Sequence, residues 1–356
     1  MLKVKKTDII LCLLSVSLLS CCSSQGSSSV KEPISSVKDS EIVSSYTVSS
    51  VSDSSSSSSF FSSSFEDAPD SFTAEEILPR CRFYSFGNGN CRLEIDTFDK
   101  KSHTYDGYGN IGELTLPSFS PDGDRVVTFS YCHSFKKLHT IHLPLTLLEI
   151  DKQALMTYPR LRNVNISENV LRIRSEAFKN DASLPFIRLP KVKVIEESAF
   201  ENCSGLKAVS FSEVLLEIHE SAFKGCSGIY EMTLPSTLET LGAFAFEKNA
   251  SLTSVVIPKK VKDISRGAFH DCHSLSSLTI EDGVESIEYD AFSRTALRKV
   301  FIPKSVKSIS STAFGNPDSP ITLYCEAEKR PEGYEVNTST KYVFHTTREE
   351  FDRLSR

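Results

Sequence analysis

An α/β solenoid is the fold class that this 356-residue sequence predicts, and three periodic columns predict it. Ala-Phe recurs at Ala177-Phe178, Ala199-Phe200, Ala222-Phe223, Ala245-Phe246, Ala268-Phe269, Ala291-Phe292 and Ala313-Phe314, in steps of 22 or 23 residues. An Ile or Leu leads each Ala by four positions: Ile173, Ile195, Ile218, Leu241, Ile264, Ile287 and Ile309. Between a Phe and the next such Ile runs a strand-like phrase, as in Leu252-x-x-Val255-x-Ile257-Pro258. Its opening apolar residue falls at Leu138, Leu161, Leu184, Leu206, Ile229, Leu252, Leu275 and Leu297. A coil of about 23 residues with one inward stripe cannot bury that stripe alone, so neighbouring coils must cover it. About eight coils are expected, with short parallel strands, short helical turns and terminal caps.

The elements follow in order. Residues 1–20 read as a signal peptide: Lys3, Lys5 and Lys6 precede the uncharged run Ile9 to Leu19. That run of 11 residues is too short for a bilayer core of about 30 Å. Leu18-Leu19-Ser20-Cys21 resembles the lipobox of bacterial lipoproteins, which implies lipidation of Cys21 and anchoring through acyl chains. Leu19 departs from the commoner Ala or Ser at its place, and Cys22 is not the Asp that retains lipoproteins at the inner membrane. Residues 21–69 form a Ser-rich tether without apolar periodicity, including the run Ser54 to Ser59.

Residues 70–137 read as an N-terminal cap, needed because an uncovered first coil exposes its core. There Cys81 and Cys91 flank the turn Gly87-Asn88-Gly89-Asn90, and an extracytoplasmic setting permits a disulfide between them. The phrase Phe119 to Val127 resembles a propeller hairpin but occurs once, so it reads as a Pro-Asp-Gly turn. Residues 138–325 hold the repeats, where truncating a Phe rung should be costly. Residues 326–356 form a C-terminal cap or tail, with Tyr342-Val-Phe344 as a last strand and a short helix over Thr347 to Leu354.

The balance of 40 Lys+Arg against 46 Asp+Glu gives a net charge of −6, which argues against a general polyanion binder and against nucleic acid as partner. No phosphate loop, nucleophile elbow or metalloprotease motif is present, so neither catalysis nor a cofactor is expected. Cys203, Cys226 and Cys272 each follow their Phe by three positions and read as buried thiols; Cys203 and Cys226 fall within disulfide range on adjacent coils. His139 and His142, and likewise His270 and His273, read as exposed polar residues rather than metal ligands.

The unit L-x-x-L-x-L-P…I-x-x-x-A-F-x-x-C resembles the bacterial leucine-rich-repeat class of BspA-like and treponemal surface proteins, over Leu138 to Cys325. The resemblance implies a right-handed solenoid and, for some members, surface adhesion or host-protein binding. Binding should then fall to the outward residues of the strand phrase. Their columns read Thr140, Asn163, Phe186, Ala208, Glu231, Ser254, Ser277, Lys299 and His142, Asn165, Arg188, Ser210, Thr233, Val256, Thr279, Phe301. With Arg162, Lys207, Tyr230 and Arg298 alongside, they make a mildly basic strip with Glu231 as its sole acid and Phe186, Tyr230 and Phe301 as aromatic anchors. The expectation is a lipid-anchored envelope protein, exposed at the surface, that engages a protein or glycan. The alternative is an envelope structural protein that assembles with itself or its neighbours.

Overall fold

The computed structural model describes residues 71–355, apart from 96, 97, 100–103, 106–110, 133, 134, 136, 317–319, 336, 337 and 339. The expected signal peptide, the expected lipidation at Cys21 and the expected tether lie outside the described residues. The rest is a parallel β-solenoid of about ten turns, with little helix. Inward residues of successive turns stand above one another in one file: Leu114, Ile141, Val164, Ile187, Val209, Met232, Val255, Leu278, Val300 and Leu323. Two turns more than the eight strand phrases thus join the stack.

Each turn has three sides. A strand of up to five residues, such as Phe186–Leu189 or Ser254–Ile257, alternates outward and inward side chains, as half-buried strands do. A two-residue strand follows, such as Arg172–Ile173 or Glu217–Ile218, with its Ile turned into the core. The Ala-Phe segment closes the turn. The short strands pair in parallel from Glu149–Ile150 to Thr240–Leu241 in one eight-stranded sheet.

The Phe side chains form the expected file. From Phe178 to Phe314 each ring stacks on the next, with centroids 4.9–5.4 Å apart and ring planes within 14°. The coil rise leaves one ring thickness plus a lateral offset, which suits an offset stack. One rung escapes a search for Ala-Phe: Ala154-Leu155 lies 23 residues before Ala177-Phe178, and Leu155 is fully buried in the Phe position.

The closing segments are turns rather than helices, for a backbone reason. Ala177 N donates to Arg174 O three residues back, whereas Glu176, Phe178 and Asn180 donate to Glu197, Ala199 and Glu201 of the next coil. Alternate N–H groups thus leave the chain direction, which no helix permits. The geometry requires left-handed residues at Glu176 and Asn180, and again at Ser198 and Asn202 and at Phe244 and Lys248. Each such non-Gly residue costs roughly 1–2 kcal/mol, which an inter-coil hydrogen bond of about 1 kcal/mol partly offsets. Gly267 takes the same place in its coil, where a Cβ would lie 2.5 Å from the Phe244 ring.

Three residues beyond each Phe runs a file of buried polar groups. Cys203, Cys226 and Cys272 donate Sγ–H to the carbonyls of Phe178, Phe200 and Phe246, and Asn249 donates Nδ2–H to Phe223 O. These thiols are free, Cys203 and Cys226 included. Burial pushes the Cys272 thiol up to about 12 and also raises that of Cys203.

At the N-terminal end, Cys81–Ser85 and Asn90–Ile95 form the expected antiparallel hairpin. The Cys81 to Cys91 disulfide does not form. Cys81 stands opposite Ile95 and Cys91 opposite Ser85, four ladder steps or about 13 Å apart along the hairpin, beyond disulfide reach. Pro121-Asp122-Gly123 is a turn, with Gly123 N donating to Ser120 O.

At the other end, strands Ile321–Cys325 and Thr340–Val343 continue the long-strand face. A helix over Arg348–Leu354 follows, its first turn closed by a reciprocal cap between Thr347 and Glu350.

Candidate binding face

The long-strand face brings the predicted columns into register: Phe186 pairs with Ala208, Arg188 with Ser210, Ser254 with Ser277 and Val256 with Thr279. Phe186 and Tyr230 are about half exposed, at 51% and 53%, and Arg162, Arg188 and Lys207 face solvent. Strand pairing lapses at intervals along this face. No ladder joins Asn163–Val164 to Phe186–Leu189, and residues 231–235 form no strand. A shallow cleft lies at each lapse. One of about 260 Å³ is lined by His142, Arg162, Asn165 and Phe186, and one of about 310 Å³ by Ser210, Tyr230, Glu231 and Thr233.

Charge is handled differently from side to side. On the short-strand side, Arg172 lies 3.7 Å from Glu149 and 3.2 Å from Glu196, and Arg174 lies 2.7 Å from Glu149. Lys307 and Lys262 share Glu285 and hold its carboxyl below the usual range. On the Ala-Phe side, Lys179 lies 2.9 Å from both Glu176 and Glu201. Arg162, Arg188 and Lys207, by contrast, have no carboxylate within ion-pair distance among the described residues.

Three expectations about this face need revision. Phe301 is not an exposed anchor: it is 5% exposed, with Phe351 of the C-terminal helix 5.7 Å away and the Arg348 guanidinium over its ring. Lys299 is engaged as well, donating to Leu354 O at 2.7 Å, while Arg298 stays exposed and donates to its neighbour Leu297 O. Glu231 is not the sole acid on this face, because Glu113 aligns with Thr140 and accepts from His142 Nε2 at 2.6 Å. The capping sequence Thr347 to Glu350 signals the helix, but nothing local signals that it lies across the strands. His139 and His142 do not converge, since His139 Nδ1 contacts Thr140 Oγ1.

Comparison with known proteins matches the chain at residues 101–207 and 193–319 to the BspA type leucine rich repeat region, in six copies. Among solved structures, a leucine-rich repeat protein from Bacteroides ovatus aligns with a TM-score of 0.61 at 21% identity, over 75% of this chain and 70% of that one. The Treponema pallidum leucine rich repeat protein gives 0.40 at 22%, over 58% and 82%. The pneumococcal vaccine antigen PcpA gives 0.40 at 18%, over 76% and 87%. The first of these likenesses shows a shared fold. No curated protein matches the sequence. The stacked Phe file, the three-sided coil and the matched repeats place the chain in the BspA type leucine rich repeat family.

Proposed function

We propose that the protein is a lipid-anchored binding protein, held outside the cytoplasm through Cys21, that engages an acidic partner, protein or glycan, on its long-strand face. It is a scaffold that catalyses nothing. The observation that carries this reading is the set of cations Arg162, Arg188 and Lys207, unpaired among the described residues, around exposed Phe186, on a molecule that pairs several cations with carboxylates on the other two sides. Cations left without partners repel one another and gain most when an acidic surface neutralises them. Aromatic rings and Arg are also the side chains that most often anchor interfaces.

The test reverses charge at Arg162, Arg188 and Lys207 together, each to Glu. Capture on immobilised acidic glycans and on acidic matrix proteins should fall by a factor of about ten or more, which is about 1.4 kcal/mol. Capture by the unaltered chain should weaken as salt is raised. Unchanged capture by a folded variant refutes the face. The anchor is tested separately: Cys21→Ala should release the chain from membranes.

A further inference from the structure

The Ala-Phe side carries a feature that the binding face does not use. The residue after each Phe stands in one file, in the order Lys179, Glu201, Lys224, Glu247, His270. The charges alternate and pair up the file: Lys179 with Glu201 at 2.9 Å and Lys224 with Glu247 at 2.7 Å. At His270 an imidazole takes the place of the next ammonium. We propose that Glu247, His270 and Asp271 form a site for a divalent transition metal ion of the zinc class.

The geometry supports this in three ways. His270 Nδ1 lies 3.8 Å from Glu247 Oε1 and 3.6 Å from Asp271 Oδ2, and all three donor atoms fall within 4.8 Å of one another. These separations are long for hydrogen bonds but near those of ligands placed about 2.0–2.2 Å from one central ion. Each carboxylate also has its second oxygen occupied by a cation: Lys224 Nζ is 2.7 Å from Glu247 Oε2, and Arg294 Nη1 is 3.4 Å from Asp271 Oδ1. That leaves Glu247 Oε1 and Asp271 Oδ2 turned to the imidazole, the orienting role that outer partners play around metal ligands. Finally, the Glu247 side chain is only 10% exposed and that of Asp271 14%, so both carboxylates are largely withdrawn from water.

One imidazole with two carboxylates favours Zn²⁺ or Mn²⁺ over Ca²⁺ and Mg²⁺, which prefer all-oxygen shells. The competitor is Lys248, whose Nζ lies 3.6 Å from Glu247 Oε1 on a side chain that is 58% exposed and free to swing away. His273 Nε2, 3.9 Å from Asp271 Oδ1, stands beside the site as a further neighbour.

The experiment titrates the full chain, without a histidine tag, with ZnCl₂ in a calorimeter and by thermal unfolding. One Zn²⁺ should bind per chain, raise the unfolding midpoint, and be removed by a chelator. His270→Ala and Glu247→Gln should each weaken binding by about 10- to 100-fold. Lys248→Gln should strengthen it, and His142→Ala, on the long-strand face, should leave it unchanged. The proposal is overturned by absence of Zn²⁺ binding, by undiminished binding in His270→Ala, or by equal binding of Ca²⁺. Lys248→Gln keeps the test decisive should His270→Ala fail to fold, since it alters only an exposed side chain.

Discussion

On the short-strand side, Arg172 reaches Glu149 on the coil before it and Glu196 on the coil after it, so a single side chain ties three coils together. On the long-strand side, Arg162, Arg188 and Lys207 reach no carboxylate among the described residues. Both sides rest on the same buried core and rise by the same increment per coil, so packing cannot explain the contrast. Pairing across coils fixes register and neutralises charge, while unpaired cations leave electrostatic energy available to a partner. Under the proposed function, the two sides divide the work of holding the stack and presenting it.

The largest effect should come from breaking what the two sides share. Phe246→Ala removes a ring stacked on Phe223 and Phe269 and should destabilise the fold by roughly 3–5 kcal/mol, read as a lower urea midpoint. Capture of an acidic partner by the remaining folded fraction should be unaltered; selective loss of capture without loss of stability would tie the core to recognition.

A smaller effect concerns a group internal to both sides. Asp181 is buried, accepts from Tyr158 N through Oδ1, and lacks a partner at Oδ2. Burial, reinforced by Cys203, raises its carboxyl well above the usual range. A raised folded-state value means that its contribution is fully present below the unfolded value of about 4 and is lost as pH rises through the folded one. Asp181→Asn should therefore stabilise the protein near neutrality by about 1 kcal/mol or more, as Asn249 donates to Phe223 O in the same file. The gain should vanish toward pH 4, and chemical denaturation across that range measures it. A pH-independent gain would show that the carboxyl is not the cause.

The smallest effect sharpens the contrast directly. Arg172→Ala should cost about 0.5–1 kcal/mol, because its partners are only partly buried. It should leave partner capture intact, whereas charge reversal on the long-strand side should do the opposite. Equal effects on both measurements would erase the distinction between the sides.

Much of this was legible in the sequence because a solenoid repeats each inward side chain at the same place in every coil. The Ala-Phe column, the Ile four residues earlier and the strand phrase each became a vertical file. The less legible parts break that rule. Leu155 does the work of Phe, so an identity search begins one coil late. The left-handed positions are filled by residues as varied as Gln, Glu, Ser, Thr, Asn, Asp, Lys, Arg, Phe and Gly, which carry no common mark, and the backbone pattern that replaces helices follows from bonds to another coil. Cys81 and Cys91 frame one turn in sequence, yet the ladder register sets them at opposite ends. Phe301 fits its outward column, and only the path of the chain after Val343 explains its burial. At the candidate metal site, His270 and His273 were visible, but Glu247 is 23 residues earlier and meets His270 only through the winding.

The uniform Phe stack also makes length adjustable. Excision of residues 224–246 would seat Phe223 against Phe269 across a gap of the size both already span, about 5.3 Å on one side and 5.4 Å on the other. The length of the stack can thus grow or shrink in whole-coil increments, each addition reusing a packing solution already in place.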